Sequence, residues 1–129
     1  MSAPEGAVGA PGVIVPRKTI QEARRLLEDA GFEVAAAGDA AEALAQLGER
    51  AFDCLVTDIE MPGMDGFELT RHIRAMPNLA QTPIVIVSTH DRPEDRLRGL
   101  EAGADAYITK QGLDATELSN TVRRLVGRP

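Results

Sequence analysis

The sequence predicts an α/β domain in which helices cover both faces of a five-stranded parallel sheet. Three observations predict it. Five short apolar runs alternate with five amphipathic segments. The apolar runs lack polar alternation, which suits strands buried on both faces. The connections are short, and repeated strand–helix units with short loops make right-handed crossovers that put helices on both sides. A chain of 129 residues is long enough to close one such domain around a real core.

The first 12 residues are dominated by Ala, Gly and Pro with one charge, and are expected to form a flexible leader or linker, with the domain proper over 13–129. The apolar runs are Val13–Val15, Phe32–Ala36, Phe52–Thr57, Ile84–Val87 and Ala106–Thr109. Thr19 and Glu22 make a capping box for the first helix, Ile20, Ala23, Leu27 and Ala30 its inward stripe, and Gly31 its stop. Asp39 with Glu42 opens the second helix, with Leu44 and Leu47 inward and Gly48 as its stop. The third spans Gly66–Met76, with Leu69, Ile73 and Met76 on one face. Asp91 and Glu94 bracket the start of the fourth, which ends at Gly103. Asp114 with Glu117 starts the fifth, where Leu118, Val122 and Leu125 share a face.

Charge and composition exclude several functions. There are 14 Lys+Arg against 20 Asp+Glu, a net charge of −6, so a cationic surface for nucleic acid or for an anionic membrane is not expected. Aromatic residues are 3% and Trp is absent, which removes stacking platforms for single strands. One cysteine, Cys54, rules out an intramolecular disulfide and a multi-cysteine zinc site. Cys54 reads as a small core residue, and His72 carries no assignment. No secretory signal or membrane span is visible, so a cytoplasmic location is expected.

In α/β folds of this kind the ligand sits beyond the carboxyl ends of the strands. The third run ends in Asp58, the fourth in Ser88-Thr89-His90 and the fifth in Lys110. A carboxylate, a hydroxyl and an ammonium thus converge on one crevice. An aspartate can attack phosphorus, and a lysine and a hydroxyl can stabilise charge on the phosphoryl oxygens.

Thr57-Asp58-Ile59-Glu60-Met61-Pro62-Gly63-Met64-Asp65-Gly66-Phe67 resembles the phosphoacceptor segment of bacterial two-component receiver domains. Pro83–Ser88 resembles the strand that carries their hydroxyl, and Gly103–Lys110 the segment that carries their lysine. The wording around Asp58, with a lysine not followed by Pro, is most similar to receivers fused to chemotaxis-type histidine kinases. The resemblance implies a flavodoxin-like (βα)5 three-layer sandwich with sheet order 2-1-3-4-5. It implies a place in a two-component or chemotaxis-like phosphorelay, with Asp58 accepting a phosphoryl group from a histidine kinase or its phosphotransfer domain. Ser88 would bond a phosphoryl oxygen and Lys110 would pair with it. Thr89, Arg96, Tyr107 and Gln111 would belong to the switch and to an output face formed by the fourth helix, fifth strand and fifth helix, which meets a downstream protein. Such a domain is not an enzyme beyond catalysing its own phosphorylation and dephosphorylation. His90 reads either as a tuner of phosphate lifetime or as an ordinary exposed histidine, and Tyr107 either as the switch aromatic or as an edge residue.

The pattern breaks in one place. The family holds Mg²⁺ with an acidic pair just after the first strand, as a hard dication requires. Here no Asp or Glu occurs between Gly6 and Gln21, and the first run leads into Pro16-Arg17-Lys18. Only Asp58 and the backbone carbonyl of Glu60 remain as protein ligands, with the Glu60 and Asp65 carboxylates as candidates for partial rescue, so impaired metal binding is expected. Arg17 or Lys18 is expected to contact Asp58 instead. Gln111 replaces the Pro that usually follows the lysine, which favours a trans peptide there. Two functions follow from this: a phosphorylatable receiver with impaired Mg²⁺ binding, or a degenerate one that serves as a phosphorylation-independent interaction module.

Overall fold

The computed structural model describes residues 13–16, 21–37, 39–49, 52–60, 63–109 and 115–126. Strands and helices alternate: β1 (Val13–Pro16), α1 (Gln21–Asp29), β2 (Val34–Ala37), α2 (Ala40–Glu49), β3 (Cys54–Thr57), α3 (Gly66–Ala75), β4 (Ile84–Ser88), α4 (Pro93–Ala102), β5 (Ala106–Thr109) and α5 (Ala115–Val126). The strands form one parallel sheet in the order β2-β1-β3-β4-β5. This is the three-layer, flavodoxin-like arrangement expected from the sequence. The leader, Arg17, Lys18, the Thr19 half of the first capping box, Lys110, Gln111 and Asp114 lie outside the described residues.

The sheet separates two apolar clusters. On one face Leu47 of α2, Leu69 and Ile73 of α3 and Ala102 of α4 pack on Leu55, Ile84, Ile86 and Tyr107. On the other, Leu27 of α1 and Leu118, Val122 and Leu125 of α5 pack on Cys54, Val56, Val85, Val87 and Ile108. Every residue of β3 and β4 is buried, because successive side chains enter opposite clusters. That explains their continuous apolar spelling. Helix α4 is the thinly attached member: Gly99 and Ala102 are its buried residues, whereas Leu97 and Leu100 are exposed.

The helix ends follow local chemistry. Asp39 accepts from the Glu42 amide at 2.8 Å, as its spacing predicts. Gly31 and Gly103 adopt positive φ at the ends of α1 and α4, where a side chain would be strained. Helix α3 has a full capping box that the sequence reading passed over: Asp65 accepts from the Glu68 amide at 2.8 Å and the Asp65 amide donates to Glu68 at 3.1 Å. The start of α4 differs from expectation. Its N-cap is Arg92, with no side-chain cap, rather than Asp91. Pro93 sets the boundary, since it occupies the first turn, where its fixed φ fits and its missing N–H is not needed.

Candidate functional site

The carboxyl ends of β3, β4 and β5 lie side by side, with Thr57 paired to Ile86 and Ser88 to Thr109. This register brings Asp58 and Ser88 to one end of the sheet. Asp58 directly follows β3 and is buried, 7% exposed, and its Oδ1 accepts from the Ile59 amide. Its carbonyl accepts from Thr57 Oγ1 at 3.0 Å. The first turn of α3 presses on this backbone. Gly66 donates its N–H to Ile59 O at 2.8 Å, and a Cβ at Gly66 would stand 2.0 Å from the Asp58 carbonyl oxygen. Only glycine permits that approach.

Ser88 is fully buried, and its Oγ accepts from the His90 amide at 3.0 Å. The His90 ring closes over the edge of the site: Nε2 lies 3.0 Å from Glu60 Oε2, and Nδ1 3.9 Å from Asp95. The His90 carbonyl accepts from the Tyr107 hydroxyl at 2.7 Å. Tyr107, on the edge strand β5, is buried rather than half-buried. Arg96 of α4 donates to the Tyr107 carbonyl at 2.9 Å and holds its guanidinium 5.3 Å from the ring centre. Burial pushes the Tyr107 phenol above its ordinary value of 10.0, with the Ser88 hydroxyl pulling the other way. Thr89 is exposed. A cavity of about 400 Å³ opens here, lined by Ile59, Glu60, Asp65, Phe67, His90, Asp95 and Arg98. A larger one of about 570 Å³ lies at the amino ends of β3 to β5, around Asp53 and Asp105, and holds none of the candidate residues.

Lys110, Gln111, Arg17 and Lys18 lie outside the described residues. The contacts expected of them therefore stay expectations. The sequence reading missed the His90–Glu60 pair and the two glycine approaches, at Gly66 and Gly99. The first joins residues 30 apart, and no spacing rule reaches that far. Cys54 is buried as expected, and burial pushes its thiol well above the usual range, which leaves it unreactive.

Among the described residues no three His, Cys, Asp or Glu groups converge on a point that could hold a metal. Glu60 and Asp65, the first two carboxylates after Asp58 in the chain, are engaged by His90 and by the α3 capping box.

A family model for the response regulator receiver domain matches residues 17–123. The chain is a response regulator receiver domain. Receivers are signalling domains that meet histidine kinases and downstream effectors. This receiver is 39% identical over 100 residues to the gliding motility regulatory protein of Myxococcus xanthus, covering 78% of this chain and 13% of that protein. It is 43% identical over 104 residues to the transcriptional regulatory protein PrrA of Mycobacterium tuberculosis, covering 81% of this chain and 43% of that one. The receiver thus spans less than half the length of either relative. In structure it is similar to the chemotaxis response regulator CheY4 of Vibrio cholerae, with TM-score 0.78, 32% identity and coverage of 88% and 97%. It also matches the receiver domain of a signal transduction histidine kinase from Syntrophus aciditrophicus, with TM-score 0.78, 29% identity and 89% coverage of each chain. No helix among the described residues is long and apolar enough to cross a membrane.

Proposed function

We propose that this receiver takes a phosphoryl group on Asp58 from a phosphohistidine of a histidine kinase or its phosphotransfer domain. The supporting observation is that a buried carboxylate after β3 and a buried hydroxyl, Ser88, at the end of β4 lie at the same end of the sheet. In the step, an Asp58 oxygen bonds to phosphorus, the donor's P–N bond breaks, and the electron pair leaves with the donor imidazole. Ser88 bonds one phosphoryl oxygen, and Lys110, next in the chain after β5, neutralises another. The exposed surface of α4, β5 and α5, including Arg96 and Thr89 beside it, carries the outcome to a downstream protein. Metal affinity is low, because the segment after β1 has no carboxylate and two cations, Arg17 and Lys18, stand there instead.

That same segment favours a second reading, an interaction module that needs no phosphate, with Arg17 or Lys18 neutralising Asp58. Intact mass after incubation with acetyl phosphate and Mg²⁺ separates the two. An adduct that Asp58→Asn abolishes supports the first. No adduct, together with no NMR shift changes on adding Mg²⁺ and beryllofluoride, refutes it.

A further inference from the structure

The Tyr107 ring owes its place to a missing side chain. Helix α4 crosses β5 and β4 at Gly99, a buried glycine in the middle of the helix. A Cβ there would stand 2.9 Å from Tyr107 Cδ2, 3.4 Å from Cε2 and 3.2 Å from Ile86 Cδ1. Two of these atoms belong to one ring, and the third lies on fully buried Ile86. The ring lies in the space that an alanine methyl would take. Glycine is otherwise a poor choice for a helix interior, and nothing else about α4 calls for it, since its positive-φ glycine is the terminal one, Gly103.

From Tyr107 a chain of bonds runs to the site. The hydroxyl donates to the His90 carbonyl at 2.7 Å, and the His90 amide donates to Ser88 Oγ at 3.0 Å. The His90 ring reaches Glu60, two residues beyond Asp58. The ring is held from above by Arg96, also on α4, through its carbonyl and its face. Residues 88–90 therefore take their position from a residue whose own position depends on Gly99.

We infer that Gly99 is a positioning residue for the site. By admitting Tyr107 beneath α4 in the unmodified protein, it holds the Ser88–His90 turn in place, with the Ser88 oxygen already bonded and its direction set. The inference rests on reading Ser88 as part of a phosphoacceptor site, and its structural half does not need that reading.

The chain has one tyrosine and no tryptophan, so its intrinsic emission reports Tyr107 alone. Acrylamide quenching of the unmodified wild-type protein is expected to be several-fold weaker than in urea; equal quenching overturns the inference. In Gly99→Ala, with native circular dichroism retained, quenching is expected to rise several-fold and the His90 amide to exchange faster. A folded variant with wild-type quenching overturns it. Tyr107→Phe guards against a variant that does not fold: the ring stays but the bond to His90 is lost. Its His90 amide is expected to exchange several-fold faster while Ile86 and Val87 keep their rates, and an unchanged His90 amide overturns the inference. With acetyl phosphate, Gly99→Ala is expected to gain the Asp58 adduct several-fold more slowly than wild type, and an equal rate overturns the positioning role. If the wild type gains no adduct, the phosphoacceptor reading fails while the tyrosine and amide measurements still decide the inference.

Discussion

Gly66→Ala tests how closely helix α3 is fitted to the site. An added methyl carbon would lie 2.0 Å from the Asp58 carbonyl oxygen, 2.9 Å from its carbon and 3.0 Å from Ile59 Cα. All three are backbone atoms, so no rotamer change relieves the contact. The helix terminus must retreat by more than an ångström, which breaks the 2.8 Å bond from the Gly66 amide to Ile59 O. Overpacking of this kind costs about 1–3 kcal/mol, and a buried donor left without its acceptor costs about 1–3 kcal/mol. The gain in helix propensity offsets at most about 1 kcal/mol. A net loss of about 2–4 kcal/mol is expected, read as a lower urea midpoint with unchanged m-value. Gly48→Ala is the matched control. It lies in α2 with nothing within 4 Å of the added methyl and no positive φ, so the same chemical change is expected to raise stability by about 0.5–1 kcal/mol. If both substitutions move the midpoint in the same direction, the close approach at Asp58 is not as described.

Leu118→Ala empties a fully buried position on α5 and is expected to cost about 2–5 kcal/mol by urea denaturation, whereas Leu97→Ala, at a residue 55% exposed, should stay within about 0.5 kcal/mol of wild type. Arg74 bonds the carbonyls of Gly103, Ala80 and Thr82 and the carboxylate of Asp105 at 2.7–2.9 Å. Arg74→Ala is expected to cost about 1–3 kcal/mol, with little recovery in Arg74→Lys, because an ammonium cannot span both sides of that fork. The Tyr107 phenol, raised mainly by burial, is expected to titrate above 10.0 by absorbance of the phenolate. Between the unfolded and folded pKa values the unfolded state holds fewer protons, so this contribution to stability is full below pH 10 and fades as pH rises through the folded value. A folded-state midpoint at or below 10.0 refutes the burial of Tyr107.

The layering was legible because it rests on local rules. Continuous apolar spelling marked β3 and β4, glycine marked the ends of α1 and α4, and Asp39 with Glu42 marked the start of α2. Asp58 and Ser88 were legible too, since strand ends place them. The relation between them was harder to read. Tyr107 looked equally suited to an edge because no pattern on β5 says that α4 has a gap at Gly99. The His90–Glu60 pair joins two loops whose closeness depends on sheet register. The start of α4 was misplaced because Asp91 is a good capping residue, yet proline chemistry at Pro93 outweighs it. The His90–Glu60 contact joins residues 30 apart in the chain, and there tertiary packing rather than propensity decides.

Helix α4 rests on the sheet through one glycine and one alanine, and turns two leucines to water. Helix α3, by contrast, sinks Phe67, Leu69 and Ile73. The helix itself contributes few apolar side chains to the core, although it covers the Tyr107 ring and Ile86. In native-state hydrogen exchange the amides of α4 should open at a lower free energy than those of α3, and well below global unfolding. A binding partner could then reorder one wall of the molecule for a fraction of the free energy that keeps it folded.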